Sequence, residues 1–253
     1  SPLFLGGSPA VASVTSISTP HNGTTMTAGY DEVGGFKKLF ARLLASWSVR
    51  RPDPIIDLML DHWTPVAEAA DMTLAGYVQR LLQEERWKDV EDSAFYDLSP
   101  RGSAALNRRV KAVPGVYYFS WGTSRTVNEG PEGEHVPAEG MHLSLHSRAR
   151  FMGSLRELPP GAEGPPERWW ENDGVVNTCS MHGPTAGSNE KIRVYDGIAL
   201  PGCWNSMGVL FPLDHWQVHV RMLVGDDTPP GCESLVDFYE RMGRFLRSLG
   251  KEE

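Results

Sequence analysis

The chain lacks a run of about 18 consecutive apolar residues, the length a membrane-spanning helix needs, so no such helix is expected. Its three cysteines, Cys179, Cys203 and Cys232, form no C-x-x-C pair, which argues against a thiolate zinc site. No H-E-x-x-H motif occurs among its eight histidines, which leaves a metal-dependent hydrolase poorly supported. There is no basic stripe, and the net charge is −8, so nothing would release counterions from a nucleic acid. The opening "SPLFLGGSPAVASVTSIS" has no Met, no basic leader and no continuous apolar core. The start is therefore expected to be a cut within a longer protein.

The absence with the largest consequence is G-x-S-x-G, the turn that presents a nucleophilic serine between a strand and a helix. Its nearest imitation is "GGSPA" at residues 6–10. There Ser8 precedes a strand instead of following one, and Pro9 lacks the N–H that should help bind an oxyanion. Ser124 in "GTSRT" follows a strand but lacks the second glycine. Neither is expected to be a nucleophile.

What is present reads as an ordinary globular composition, 40% hydrophobic and 22% charged. The length is enough to bury a sizeable core. "AVASVTSIS" (residues 10–18) alternates as a strand in a packed sheet, followed by the turn-rich "TPHNGTT". Phe36, Leu39, Phe40, Leu43, Leu44 and Trp47 form the apolar face of an amphipathic helix, either packed on the core or acting as a lipid-facing lid. Two more short helices are expected at residues 54–63 and 74–82. Ser99 should cap a helix that has Pro100 at its first position and ends before Pro114. "GVYYFSWGTS" (115–124) reads as a strong strand, and 127–168 as mostly loop. Leu235, Phe238, Tyr239, Met242, Phe245, Leu246 and Leu249 line one face of a last helix, capped by Ser234 and ended by Gly250. Strands alternating with helices point to an α/β layered fold.

The tetrapeptide "LDHW" occurs at residues 60–63 and again at 213–216. The second copy follows an extended apolar run and puts His215 in a loop. Upstream, "RWWENDGVVNTCSMHGP" places Asp173 in an Asn-Asp-Gly turn before a strand-like "VVNT". An acid in one loop and a histidine in a later one is the chain order of the α/β-hydrolase triad, though any acid before any His satisfies it. The first copy lies on a helix where Asp57 and Asp61 share a face. Those acids suit either the positive helix end or a carboxylate metal ligand.

"SPLFLGGSPAVASVTSISTPHNGTT", "WKDVEDSAFYDLSPRGSAALNRRVKAVPGVYYFSWGTSRT", "RWWENDGVVNTCSMHGP", "VYDG", "WNSMG" and "DHWQV" resemble, in this order, segments of the thermoalkaliphilic bacterial lipases of the Geobacillus and Staphylococcus type. The resemblance covers nearly the whole chain. It implies an α/β-hydrolase fold of which residues 1–253 are the C-terminal portion, the nucleophile serine lying upstream of Ser1. It also implies a lid region at about residues 21–50 and part of a zinc-binding insertion at about 51–70.

By motif, Asp173 matches the family's catalytic acid and His215 its catalytic histidine, with Trp216 where the family usually has Leu. Asp61 matches one ligand of a structural zinc held by two Asp and two His. The other three ligands would precede Ser1, so this chain alone should not hold zinc tightly. The family's calcium site, close to the catalytic His, is matched poorly. Gln217 replaces a Glu ligand, the following Asp-Pro is absent, and a glycine carbonyl is matched by Gly140. Losing two carboxylates removes most of the charge that holds a hard cation, so calcium is not expected unless Asp226 or Asp227 substitutes.

The expected activity of the whole protein is triacylglycerol or related ester hydrolysis, acting on lipid esters at an oil–water interface and secreted like the relatives. The alternative is a catalytically silent, lipase-like module that binds lipid or a protein partner.

Overall fold

The computed structural model describes residues 10–30, 94–219 and 227–249. They fall almost wholly in one unit of the chain, Ser1–Ala28 with Asp92–Glu253. The helices expected at 36–47, 54–63 and 74–82, with Asp57, Asp61, Ser8 and Gly250, lie outside the described residues.

Strand β1 (Ser13–Ile17) pairs in parallel with β2 (Tyr117–Thr123), and β2 pairs in parallel with β6 (Trp204–Leu210). The short β5 (Ile192–Val194) completes the sheet, in the order β1-β2-β6-β5. A separate antiparallel hairpin joins β3 (Thr126–Asn128) to β4 (His135–Pro137). The helices are α1 (Ala94–Leu98), α2 (Pro100–Arg109), α3 (His146–Gly153), α4 (His215–His219) and α5 (Leu235–Ser248).

The alternation along β2 decides what each sheet face meets. Tyr117, Phe119 and Trp121 point to one side, where α5 covers them. Phe245 meets Phe119 edge-on at 5.0 Å between ring centroids, and Phe238 meets Trp121 at 6.1 Å. Leu235, Met242, Leu246 and Leu249 fill the same seam. At about 1.5–3 kcal/mol for each large side chain fully buried, this seam is a principal source of the unit's stability. The helix begins where expected, since the Ser234 hydroxyl accepts from the Asp237 N–H at 3.1 Å.

The opposite face carries small polar residues. Ser16, Ser120 and Ser206 stand side by side across β1, β2 and β6. Ser16 bonds the His21 ring, Ser120 donates to the His182 carbonyl, and Ser206 bonds the His182 ring, at 2.8–2.9 Å. His21 rests edge-on against Trp204, ring centroids 4.4 Å apart. Burial, with His182 adding to it, drives His21 down to about 4. Both rings are therefore neutral packing groups at neutral pH.

Two sequence expectations are refined. Residues 127–168 contain the β3–β4 hairpin and α3, whose Ala149 and Met152 are fully buried. Their apolar residues are too sparse for a visible period. The "VVNT" segment is a tight turn leading into a 3-10 helix, Thr178–Ser180, because its polar groups bond the loops around it. The Ser99-capped helix ends as expected before Pro114, its last residue being Arg109.

Candidate active site

Thr123 ends β2 and Leu210 ends β6, so the loops that follow leave from adjacent carboxyl ends of the sheet. Both sequence-expected residues of this region lie there. The Asp173 backbone N–H donates to the Val176 carbonyl and its carbonyl accepts from the His215 N–H, so the two loops are stitched together. Gly174 makes the turn possible at φ 92°, where a Cβ would also come within 2.7 Å of the Leu145 Cβ.

The Asp173 carboxylate is fully buried. Oδ1 accepts the N–H groups of Val175 and Val176 at 3.0 and 2.8 Å. Oδ2 accepts from the Thr123 hydroxyl at 2.7 Å and from His215 Nδ1 at 2.9 Å. Four donors on one carboxylate fix its orientation and offset the cost of burying its charge. Thr123 was not singled out from sequence; its position at a strand end was the only available signal. It also bonds the buried Ser18 hydroxyl at 2.7 Å. Since the carboxylate can only accept, Ser18 must donate to Thr123 and Thr123 to Asp173.

The same argument sets the tautomer of His215: Nδ1 carries the proton, and Nε2 holds the basic lone pair. Burial acts to lower the affinity of His215 for a proton. The charge and hydrogen bond of Asp173, with the charge of Asp214, outweigh it and raise the imidazole above its ordinary value.

Asp214, the immediate neighbour, serves another end. Its Oδ1 accepts the N–H groups of Trp216 and Gln217, and its Oδ2 accepts that of His142. The Gln217 side chain answers by accepting the Asp214 N–H at 2.7 Å. This reciprocal capping box starts α4, so His215 sits at a helix start rather than in a loop. Trp216 packs against Met141, Leu145 and Ala149 and holds the turn from outside.

Other nucleophile candidates are unsuitable. Ser124 is fully buried. Burial pushes the Cys179 thiol up to about 12, so it stays protonated near neutrality.

Among the described residues no group of three His, Cys, Asp or Glu could hold a metal. The implied calcium does not fit the residues present, because the oxygens around Gln217 and Asp227 already meet the guanidinium of Arg125. Asp226 lies outside the described residues. Asn22, Gly23, Thr24 and Thr25, at the start of the expected lid region, are buried in the unit. There they bond Ser180, Gly183, Val175 and Asn177 among others. Thr25–Tyr30 form a short 3-10 helix, and residues 31–50 of the lid region lie outside the described residues.

The unit is thus a parallel-sheet α/β layer with a buried carboxylate bonded to a histidine past its strand ends. The particular family is given by comparison. The chain belongs to the lipase-like C-terminal domain family, whose model matches residues 1–248. It is similar to a lipase of Staphylococcus hyicus, 28% identical over 258 residues, covering 100% of this chain and 37% of the relative. Among solved structures it resembles EstA from Clostridium botulinum, with a TM-score of 0.74 and 34% identity over 88% of this chain and 52% of that one. Lipase 1 from Pelosinus fermentans matches with a TM-score of 0.71 and 33% identity, over 100% of this chain and 63% of that one. The chain thus spans less than two thirds of the length of each of these relatives.

Proposed function

We propose that this chain is the C-terminal part of an α/β-hydrolase-type lipase and supplies two of its three catalytic groups, Asp173 and His215. The observation that carries the reading is the 2.9 Å contact from His215 Nδ1 to a carboxylate already held by three other donors. In the whole protein a serine upstream of Ser1 attacks an ester carbonyl. His215 Nε2 takes the serine proton as the tetrahedral intermediate forms and returns it to the departing alcohol. Asp173 holds the tautomer and stabilises the imidazolium without itself taking the proton. The serine ester then reacts with water by the same steps in reverse order, releasing the fatty acid.

The names of the relatives support a lipid ester as substrate. Residues 31–50 are proposed as lid, and Asp61 as one ligand of a structural zinc completed upstream. Secretion is proposed on the resemblance alone. A catalytically silent lipid-binding module is the other reading, and one experiment separates the two. In the full-length protein, Asp173→Asn leaves the shape but favours the wrong imidazole tautomer, with an expected loss of about 10⁴ in kcat on a short-chain p-nitrophenyl ester. A rate within a few-fold of wild type, or no esterase activity in the wild type, would reject the reading.

A further inference from the structure

Behind the His215 turn lies a buried cation. Arg125 follows β2 by two residues and is only 4% exposed. Its guanidinium reaches four oxygens on three segments of the chain. Nε and Nη2 both donate to the Glu139 carbonyl, at 2.9 and 2.7 Å. Nη1 meets the Pro212 carbonyl at 3.1 Å, the Gln217 Oε1 at 2.7 Å and the Asp227 Oδ2 at 2.5 Å. Two carbonyls, an amide oxygen and a carboxylate are the donor types a hard cation takes. Here they surround a side chain.

The surroundings are shaped to the guanidinium. Gly140 has φ 78°, and a Cβ there would lie 1.9 Å from Arg125 Nη2. Gln217 suits the arrangement where Glu would not. Its Nε2 donates to Asp227 Oδ2 at 2.8 Å, while its Oε1 accepts from both Arg125 and the Asp214 N–H. A Glu at this position would set its carboxylate against that of Asp227 and call for more positive charge than one guanidinium supplies. The trio of Arg125, Gln217 and Asp227 balances its charges with a single cation. A divalent ion placed among these oxygens would meet a fixed positive charge and only one carboxylate.

We propose that the Arg125 guanidinium is a built-in cation that positions the His215 turn and makes that position independent of calcium. Pro212 and Gln217 bracket His215 in sequence, and Arg125 ties both to the Glu139 segment and to Asp227. The flat, five-donor fork is what lets one side chain reach three segments; an ammonium cannot reproduce it. Arg125 is thus a positioning residue that acts through the turn.

The test uses the full-length protein and compares wild type, Arg125→Lys, Arg125→Met and the double variant Arg125→Ser with Gln217→Glu. With zinc supplied throughout, the wild-type melting temperature is expected to be the same in calcium-free buffer and in excess calcium chloride. A rise with calcium or a fall on its removal would overturn the proposal. The double variant opens the site and adds a carboxylate, so it is expected to bind one calcium by calorimetry and to melt higher when it does. A double variant that folds by circular dichroism yet takes no calcium would show that these oxygens are no cation site, and would also overturn it.

Arg125→Lys should remain indifferent to calcium and lose about 10- to 100-fold in ester kcat with KM kept, and Arg125→Met should lose more. Wild-type melting and turnover in Arg125→Met would contradict the positioning role. The turnover arm rests on the proposed lipase reading; the calcium and melting arms do not, so failure of that reading removes activity from every version and leaves the metal result to stand alone.

Discussion

Thr123→Val in the full-length protein isolates one contact of the acid–histidine pair. The change keeps the shape of the side chain and removes its hydroxyl. Two bonds go with it, the 2.7 Å donation to Asp173 Oδ2 and the 2.7 Å contact with Ser18. A hydrogen bond to a charged group contributes about 1.5–3 kcal/mol, and Ser18, 2% exposed, keeps a donor without an acceptor. The expected loss is about 2–4 kcal/mol of stability. Oδ2 is then left with His215 as its donor, so its charge acts more strongly on the imidazole. The imidazole, already raised by Asp173, should rise further. In an ester assay across pH, the acid limb of the rate profile should therefore move to higher pH. Thr123→Ser, which keeps the hydroxyl, should restore most of both effects. An unchanged melting temperature, or an acid limb that stays or moves down, would refute this view of Thr123.

Two further predictions rest on other parts of the chain. His21 is buried neutral and has a folded pKa of about 4 against about 6.5 unfolded, so the unfolded chain holds the extra proton between those values. Stability should be full above about pH 6.5 and fall by about 3 kcal/mol as pH drops to about 4. His215 has the opposite sign, its contribution being full below about 6.5 and lost as pH rises through its raised folded value. Melting temperatures across this range in wild type and His21→Gln check the first, and an unaltered acid slope in the variant would count against it. Asp61→Ala should lower the zinc content and melting temperature of the full-length protein while leaving low-temperature turnover largely intact; unchanged zinc would remove Asp61 from the ligand set.

The parts of the fold that sequence disclosed are those set by local chemistry. Ser99 and Ser234 cap helices because a hydroxyl answers an N–H three residues on, and that spacing is visible in one line of letters. Strand β2 announces itself by aromatic and β-branched residues, and α5 by its apolar stripe. The pair of Asp173 and His215 came from a motif likeness, since chain order alone would admit many acids. Asp214, next to His215, would have been the naive partner. Its capping bonds to Trp216, Gln217 and His142 are what turn it away.

What stayed hidden is long-range. Arg125 gathers oxygens from positions up to 102 residues away, and nothing in the local sequence around it hints at a buried guanidinium. Thr123 looks like any β-branched strand residue until Asp173, 50 positions later, folds against it. The α3 helix is short, and it is held by contacts from its flanks more than by its own pattern.

The central claim is that His215, steered by Asp173, activates a serine that lies upstream of this chain. A fluorophosphonate probe, which labels only an activated serine, tests it directly when the adduct is mapped by mass spectrometry in the full-length protein. The account predicts one labelled serine upstream of Ser1, with labelling lost in His215→Ala and absent when residues 1–253 are treated alone. A labelled serine within this chain, or labelling that survives His215→Ala, would contradict it.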